Sequence, residues 1–128
     1  MSQKEFFNGC VALGSMPGVL KFELCGAAVY LEPINDYDIL ILAGENFAIA
    51  PDWEPCMSDA YETPDHNFRA YRKGLLNFIV LTDPDLYTRY SLASAVCAAV
   101  KVADKKDRIV VHRMIRDGKT EAEARLES

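Results

Sequence analysis

Residues 25–42 read CGAAVYLEPINDYDILIL, and the interpretation of the whole chain depends on them. A small-residue turn opens this stretch, a proline interrupts it and a four-residue apolar run closes it. Successive side chains of a strand alternate between its two faces, so Asp36 and Asp38 are expected to project from the same side. Carboxylates placed in this way can share divalent cations, which prefer oxygen ligands. The stretch predicts a short helical turn over residues 26–31 and a strand over residues 37–43 that begins with an acidic pair.

Length and composition limit the class of protein. The chain has 128 residues, half of them hydrophobic, which is enough to bury one core, so we expect a single domain over residues 1–128. No apolar run approaches the roughly 20 residues that span a bilayer. Residues 1–7 lack the pattern of a signal peptide, and we expect a cytoplasmic protein without a membrane partner.

The cysteines and the net charge restrict the chemistry further. The four cysteines contain no C-x-x-C pair, and without an export signal they are expected to be buried thiols rather than disulfides. The net charge of −5 makes general nucleic-acid binding unlikely, because such binding needs a surface that neutralises phosphates.

The segments before and after the opening stretch are less regular. Residues 19–24 predict a strand, whereas residues 10–13 fit either a strand or the end of a helix. A turn at residues 44–46 predicts a second strand over residues 47–50. Residues 51–67 contain three prolines and five acidic residues and predict a long surface loop. Within that loop Trp53 is expected either to anchor an interface or to cap the core.

A second strand pair follows the loop. Residues 75–81 are almost continuously apolar, which is typical of a central strand covered on both faces. Asn77 is the exception, and a buried amide without partners costs about 1 to 3 kcal/mol, so it is expected to have partners or to face a cleft. The preceding segment, FRAYRK at residues 68–73, is either a solvated strand edge or a phosphate or partner contact beside the cleft. Its basic residues are Arg69, Arg72 and Lys73.

The last third of the chain predicts helices. Asp83 is a good N-cap and Pro84 suits the first helical position, so a helix is expected to run to residue 103. Its predicted core face is formed by Leu86, Tyr90, Ala93, Cys97 and Val100. A second helix is predicted over residues 105–116, with a core face of Val110, Val111, Met114 and Ile115. Gly118 should end it, and Thr120 with Glu123 has the spacing of a capping box.

The order of these elements resembles the DNA polymerase beta-like nucleotidyltransferases over roughly residues 20–81. The family pattern has Gly followed by Gly or Ser, about a helix's length before an acidic-x-acidic strand, with a third carboxylate on a later strand. Gly26 and Ala27 stand where the glycine-serine pair would be, although the segment that follows is slightly shorter than usual. Asp36 and Asp38 match the acidic pair, and Asn77 stands where the third carboxylate would fall.

A second resemblance, to small phage-encoded relatives of that family, covers three later segments. These are RKGLLNFIV at residues 72–80, the helix predicted after it and the basic DKKDR at residues 104–108. The resemblance implies an α+β fold, a small mixed sheet with helices packed on it, and catalytic positions at Asp36, Asp38 and Asn77. It implies Mg²⁺ bound by Asp36 and Asp38, and a nucleoside triphosphate bound near Gly26, Ala27, Arg69, Arg72 and Lys73.

Two functions remain open on the sequence alone. The first is nucleotide binding with a divalent cation in a degenerate nucleotidyltransferase, because an asparagine adds no negative charge and cannot accept a proton. The second is a non-enzymatic interaction protein, such as a phage-type inhibitor or an antitoxin-like partner. It would bind another macromolecule through residues 51–67 and through the acidic surface that the net charge of −5 predicts.

Overall fold

The structure is a computed structural model, and it describes residues 3–30, 36–56 and 68–126. Within these ranges five strands form one mixed sheet with four α-helices around it, which confirms the predicted α+β class. In chain order the elements are α1 (Gln3–Gly14), β1 (Val19–Cys25), a 3₁₀ turn (Gly26–Val29), β2 (Tyr37–Ala43), β3 (Glu54–Cys56), β4 (Phe68–Lys73), β5 (Leu76–Leu81), α2 (Pro84–Val100), α3 (Lys105–Asp117) and α4 (Glu121–Leu126).

The sheet has the strand order β1-β2-β5-β4-β3. β2 and β5 run parallel, whereas the other three neighbouring pairs are antiparallel. The predicted central position of residues 75–81 is therefore confirmed, because β5 is the middle strand. A parallel pair needs a long crossover, and here the chain between β2 and β5 also supplies β3 and β4.

Both faces of the two central strands are buried. One face packs under α1 and residues 44–53, with a core of Leu13, Ile39, Ile41, Ala43, Trp53, Tyr71, Leu76, Phe78 and Val80. The other face packs under α2, with a core of Cys25, Leu40, Leu42, Ile79, Leu81, Tyr87 and Tyr90. Alternate residues of β2 and β5 fill each core, which explains why both strands read as continuous apolar runs.

The segment between β2 and β3 differs from the prediction. Residues 47–50 form no strand and instead cross the sheet, so the predicted second strand of a hairpin is wrong. Trp53 is buried and its ring stacks on Phe78, with centroids 3.9 Å apart and planes 7° apart. This packing shows that Trp53 caps the core. β3 lies within the predicted loop, while residues 57–67 lie outside the described residues.

The N-terminal alternatives are also decided. Residues 10–13 belong to a helix, α1, and not to a strand. The helical turn after β1 ends at Val29, and residue 31 lies outside the described ranges. Cys10, Cys25, Cys56 and Cys97 form no disulfide; Cys25 and Cys97 are buried as predicted, whereas Cys10 and Cys56 are only half-buried.

α2 begins as the sequence predicts and ends earlier. The Asp83 side chain accepts a hydrogen bond from the Asp85 N–H at 2.8 Å, so the N-cap is confirmed. The helix ends at Val100 because Lys101 adopts a left-handed conformation with φ 53°. Val100 is 66 % exposed, so its predicted place on the core face is wrong. Tyr90, Ala93 and Cys97 are buried as predicted, and Leu86 is half-buried against the same core. Tyr87 and Ser94 are also buried on this face, which the periodicity did not indicate.

α3 buries polar side chains that the apolar pattern did not indicate. His112 and Arg116 are buried together with Val110, whereas the predicted core residues Val111, Met114 and Ile115 are only half-buried. His112 packs edge-on against Tyr90, with ring centroids 4.5 Å apart. Arg116 donates from Nε to Asp117 Oδ1 at 3.0 Å, and this charged partner makes its burial possible.

The start of α4 matches the predicted capping box. The Thr120 N–H donates to Glu123 Oε1 at 3.0 Å, and the Glu123 N–H donates to Thr120 Oγ1 at 3.2 Å. Gly118 ends α3 at a φ of 69°, as expected for a glycine at that position.

Candidate functional site

Asp36, Asp38 and Asn77 lie together because β2 and β5 are neighbours. Asp38 is directly opposite Asn77 in the parallel register, and Asp36 lies two residues earlier, just before β2 begins. All three side chains project from the sheet face that packs under α2. The strand pairing therefore joins groups that are 39 and 41 residues apart in the chain.

The amide nitrogen of Asn77 bridges the two carboxylates. It donates to Asp36 Oδ2 at 2.8 Å and to Asp38 Oδ1 at 3.1 Å. Arg72, opposite Asn77 on β4, donates from Nε to Asn77 Oδ1 at 2.9 Å and from Nη2 to Asp36 Oδ2 at 3.1 Å. Because Oδ1 accepts from Arg72, the amide must present its NH₂ group to the carboxylates. We call these four residues the Asp36 cluster.

The two aspartates differ in environment. Burial raises the pKa of Asp38; the Asn77 hydrogen bond opposes that shift, and the charge of Asp36 adds to it. The Asp36 side chain is 40 % exposed and its partner Arg72 is 50 % exposed, so water screens their ion pair. The ionised form of Asp38 is therefore the costly one, and added positive charge beside it would stabilise that form.

The turn after β1 closes the other side of Asp38. Gly26 has a φ of +70°, and a Cβ at that position would lie 2.8 Å from Asp38 Oδ2. The Gly26 N–H donates to Ser94 Oγ on α2 at 3.0 Å. Ala27 follows in the 3₁₀ turn and is half-buried. The small-residue turn thus borders the cluster, but the first of its backbone donors is already bonded to Ser94.

Only one of the three basic residues of β4 lies in the cluster. Side chains alternate along a strand, so Arg69 and Lys73 project from the opposite face to Arg72. Lys73 Nζ lies 2.9 Å from Asp52 Oδ2. Arg69 lines an open groove of about 850 Å³ beside residues 44–49. The structure therefore does not bring Arg69 and Lys73 to the predicted phosphate site.

Two residues near the cluster were missed by sequence reasoning. The pKa of Asp38 is raised by burial, and the charge of Arg108 on α3 partly opposes this shift; Arg108 also donates to the Ala103 carbonyl at 2.9 Å. Ser94 interrupts the apolar face of α2 and bonds to the turn at Gly26. The serine was a detectable signal, because a buried hydroxyl needs a partner. Arg108 gave no such signal, since it is one of several charged residues at the start of α3.

The two carboxylates of the cluster could together hold a cation. One oxygen from each aspartate converges on a single point, which a divalent cation could occupy if Asn77 turned its Oδ1 inward and released Arg72. Among the described residues, no group of three His, Cys, Asp or Glu side chains is arranged for metal binding. An asparagine at this position supplies neither the negative charge nor the base that a third carboxylate would.

Comparison with protein-family models, curated proteins and solved structures found no significant match. The resemblance to nucleotidyltransferases thus depends only on the sequence pattern. None of the helices in the described part of the chain is long and apolar enough to cross a membrane.

Proposed function

We propose that this protein is a degenerate nucleotidyltransferase-like protein that binds a nucleotide together with Mg²⁺ at the Asp36 cluster. The main support is the convergence of Asp36 and Asp38 on one atom, Asn77 Nδ2, at 2.8 and 3.1 Å. A point between two carboxylates that attracts an amide donor would attract a divalent cation more strongly, because the cation carries full charge.

Loss of catalysis follows from the same residues. Nucleotidyl transfer needs one cation to activate the attacking oxygen and another to neutralise the triphosphate. With Asn77 in the third position the cluster carries one charge fewer than three carboxylates would supply. Both aspartates would be engaged by the cation, so neither would be available to accept the proton of the attacking hydroxyl. We therefore expect binding without turnover.

Arg72 is the group best placed to contact phosphate. Its guanidinium is half-exposed and now bonds to Asp36 and Asn77. A cation at Asp36 would compete with these bonds and free the guanidinium, whose planar donors suit phosphate oxygens. Gly26 and Ala27 border the same cluster and allow a close approach of ligand to backbone.

Isothermal titration calorimetry with ATP and GTP, with and without Mg²⁺, tests the proposal. We expect heat of binding only when Mg²⁺ is present. Arg72→Gln should weaken binding about tenfold or more. The matched control is Lys73→Gln, one residue along β4, because it removes the same charge from the opposite face. Nucleotide binding that is the same with and without Mg²⁺ would contradict the proposed site. An equal loss of nucleotide affinity in Arg72→Gln and Lys73→Gln would contradict it as well.

A second candidate function is an interaction protein without a nucleotide. It is favoured by the closed hydrogen bonding of the cluster, in which Arg72 and Asn77 already satisfy Asp36. In that case the cluster would be a structural support, and the acidic surface would bind a macromolecular partner. A melting temperature unchanged by Mg²⁺ and Mn²⁺, together with no nucleotide heat, would favour this function over the first.

A further inference from the structure

β1 is an edge strand of seven residues. It pairs with β2 on one side, and no other described strand pairs with its outer side. In an antiparallel strand every second residue directs its N–H and C=O away from the neighbour. Such an edge can pair with a further strand unless the protein blocks it.

β1 and α1 both carry exposed apolar side chains. Leu20 on β1 is 64 % exposed, and Phe7 and Val11 on α1 are 65 % and 55 % exposed. Phe7 and Val11 are four residues apart and therefore share one side of the helix. Glu5 lies on the opposite flank of α1, near Gly74 in the β4–β5 turn. The side that carries Phe7 and Val11 therefore points away from the β4–β5 turn and is exposed.

We propose that β1 pairs antiparallel with β1 of a second copy, about a two-fold axis at Phe22. Residues 20–24 read LKFEL, a pattern that is complementary to itself in this register. Lys21 of each copy lies opposite Glu23 of the other, and Leu20 lies opposite Leu24. Opposite charges facing each other across a strand pair are stabilising, whereas like charges are destabilising.

Other registers are less favourable. An axis at Lys21 would place two lysines opposite each other, and an axis at Glu23 would place two glutamates opposite each other. Both charged side chains are already held at the face under α2, since Ser91 Oγ donates to Glu23 Oε2 at 2.9 Å and Lys21 Nζ lies 4.8 Å from the centre of the Tyr87 ring. The two side chains therefore lie on the same face of the sheet, where opposite residues of a new strand pair would meet.

The geometry of β1 makes the centre of the proposed pair its most regular part. The register with β2 shifts between Val19 and Lys21, so Leu20 lies at a bulge and the ladder is regular over residues 21–25. An axis at Phe22 puts that bulge at each end of the new strand pair instead of its middle. The result is a continuous sheet that joins the five described strands of each copy, with Phe7 and Val11 of both copies on the same side of it.

Sedimentation velocity on the full chain tests the dimer. We expect a species of twice the 14.3 kDa chain mass that dissociates on dilution. Lys21→Glu and Glu23→Lys should each raise the dimer Kd about tenfold or more. An equimolar mixture of the two variants should restore the dimer, because each glutamate then faces a lysine of the other chain. A merely structural role of either residue predicts no such rescue.

A second pair of variants does not disturb Glu23 and its bond to α2. Leu20→Lys should weaken the dimer, whereas Val100→Lys, at an equally exposed apolar residue on α2, should not. Circular dichroism confirms that each variant is folded. A chain that stays monomeric up to a concentration of about 1 mM would overturn the proposal, because a specific dimer would be populated at that concentration. A dimer weakened by Val100→Lys and unaffected by Leu20→Lys would also overturn it.

Discussion

Gly26 lies so close to Asp38 that a Cβ on the glycine would be 2.8 Å from Asp38 Oδ2. The contact joins the end of β1 to the start of β2, where Cys25 pairs with Asp38. Asn77 occupies the opposite side of the same carboxylate, at Oδ1. The position of the Asp38 side chain is thus fixed from both sides, and on one side the lack of a side chain makes room for it.

Gly26→Ala should destabilise the protein by more than the backbone strain of an alanine at a φ of +70°, because its methyl group would also collide with Asp38. Gly118 provides a matched control, because its φ of +69° is almost the same as the +70° of Gly26 and a Cβ there meets nothing within 4 Å. Gly118→Ala should cost about 1 kcal/mol in free energy of unfolding, and Gly26→Ala clearly more. Urea denaturation measures both. Equal losses would show that Asp38 moves away freely when a methyl group is added.

Asn77→Asp should have opposite effects on stability with and without metal. Without metal, three carboxylates in one pocket repel each other and the melting temperature should fall. With Mg²⁺ the added charge should tighten cation binding, which adds roughly 1.4 kcal/mol at ten times the dissociation constant. Thermal melts of the wild type and the variant across a magnesium series measure this. Equal destabilisation at every Mg²⁺ concentration would exclude a cation from the cluster.

Stability should decrease as the pH falls toward 3 because of His112. Burial, together with the charges of Arg116 and Arg108, lowers the pKa of His112 to about 3. In the unfolded chain His112 binds a proton near pH 6.5, whereas in the folded protein it stays neutral down to about pH 3. The stability that comes from keeping His112 neutral is therefore fully present above about pH 6.5 and is lost as the pH falls from there toward 3. The loss should reach roughly 3 to 5 kcal/mol.

His112→Phe removes the titrating group and keeps a ring against Tyr90. Urea midpoints at about pH 7.5 and about pH 4.5 should differ less in this variant than in the wild type. The carboxylates contribute equally to both proteins, so the comparison isolates His112. The same pH dependence in both proteins would mean that His112 takes up its proton in the folded state.

Trp53→Ala should cost about 3 to 5 kcal/mol of stability, because it removes a buried ring that stacks on Phe78. Trp53→Phe retains an aromatic surface and should cost clearly less. Trp53 is the only tryptophan in the chain, so circular dichroism must replace intrinsic fluorescence as the measure of unfolding. A near-neutral Trp53→Ala would show that residues 44–53 do not cover the sheet in solution.

The sequence predicted the central strands well because each is a short apolar run with a clear boundary. It also indicated the acidic pair, since Asp36 and Asp38 immediately precede that run. It could not show that Arg72 alone, and not Arg69 or Lys73, lies on the same sheet face as the aspartates. That assignment requires the strand bounds of residues 68–73 and their register with β5. Side-chain alternation then separates them.

Other failures have a different physical origin. Residues 47–50 have the composition of a strand, but the chain must cross the sheet there to reach its far edge, so tertiary structure overrides local preference. Periodicity assigned Val111, Met114 and Ile115 to the core of α3. It could not foresee that an aromatic contact and an adjacent carboxylate would allow His112 and Arg116 to be buried instead.

The parallel pairing of β2 with β5 also has a kinetic consequence. The bonds between Asn77 and the aspartates close chain loops of 39 and 41 residues, and contacts of such long sequence separation form slowly. β1 and β2 can pair earlier, because only a short connection separates them. β4 and β5 can also pair early, because only two residues separate them. The Asp36 cluster is therefore assembled only when the β4–β5 hairpin docks on β2, so a ligand that binds there would select chains that have completed folding.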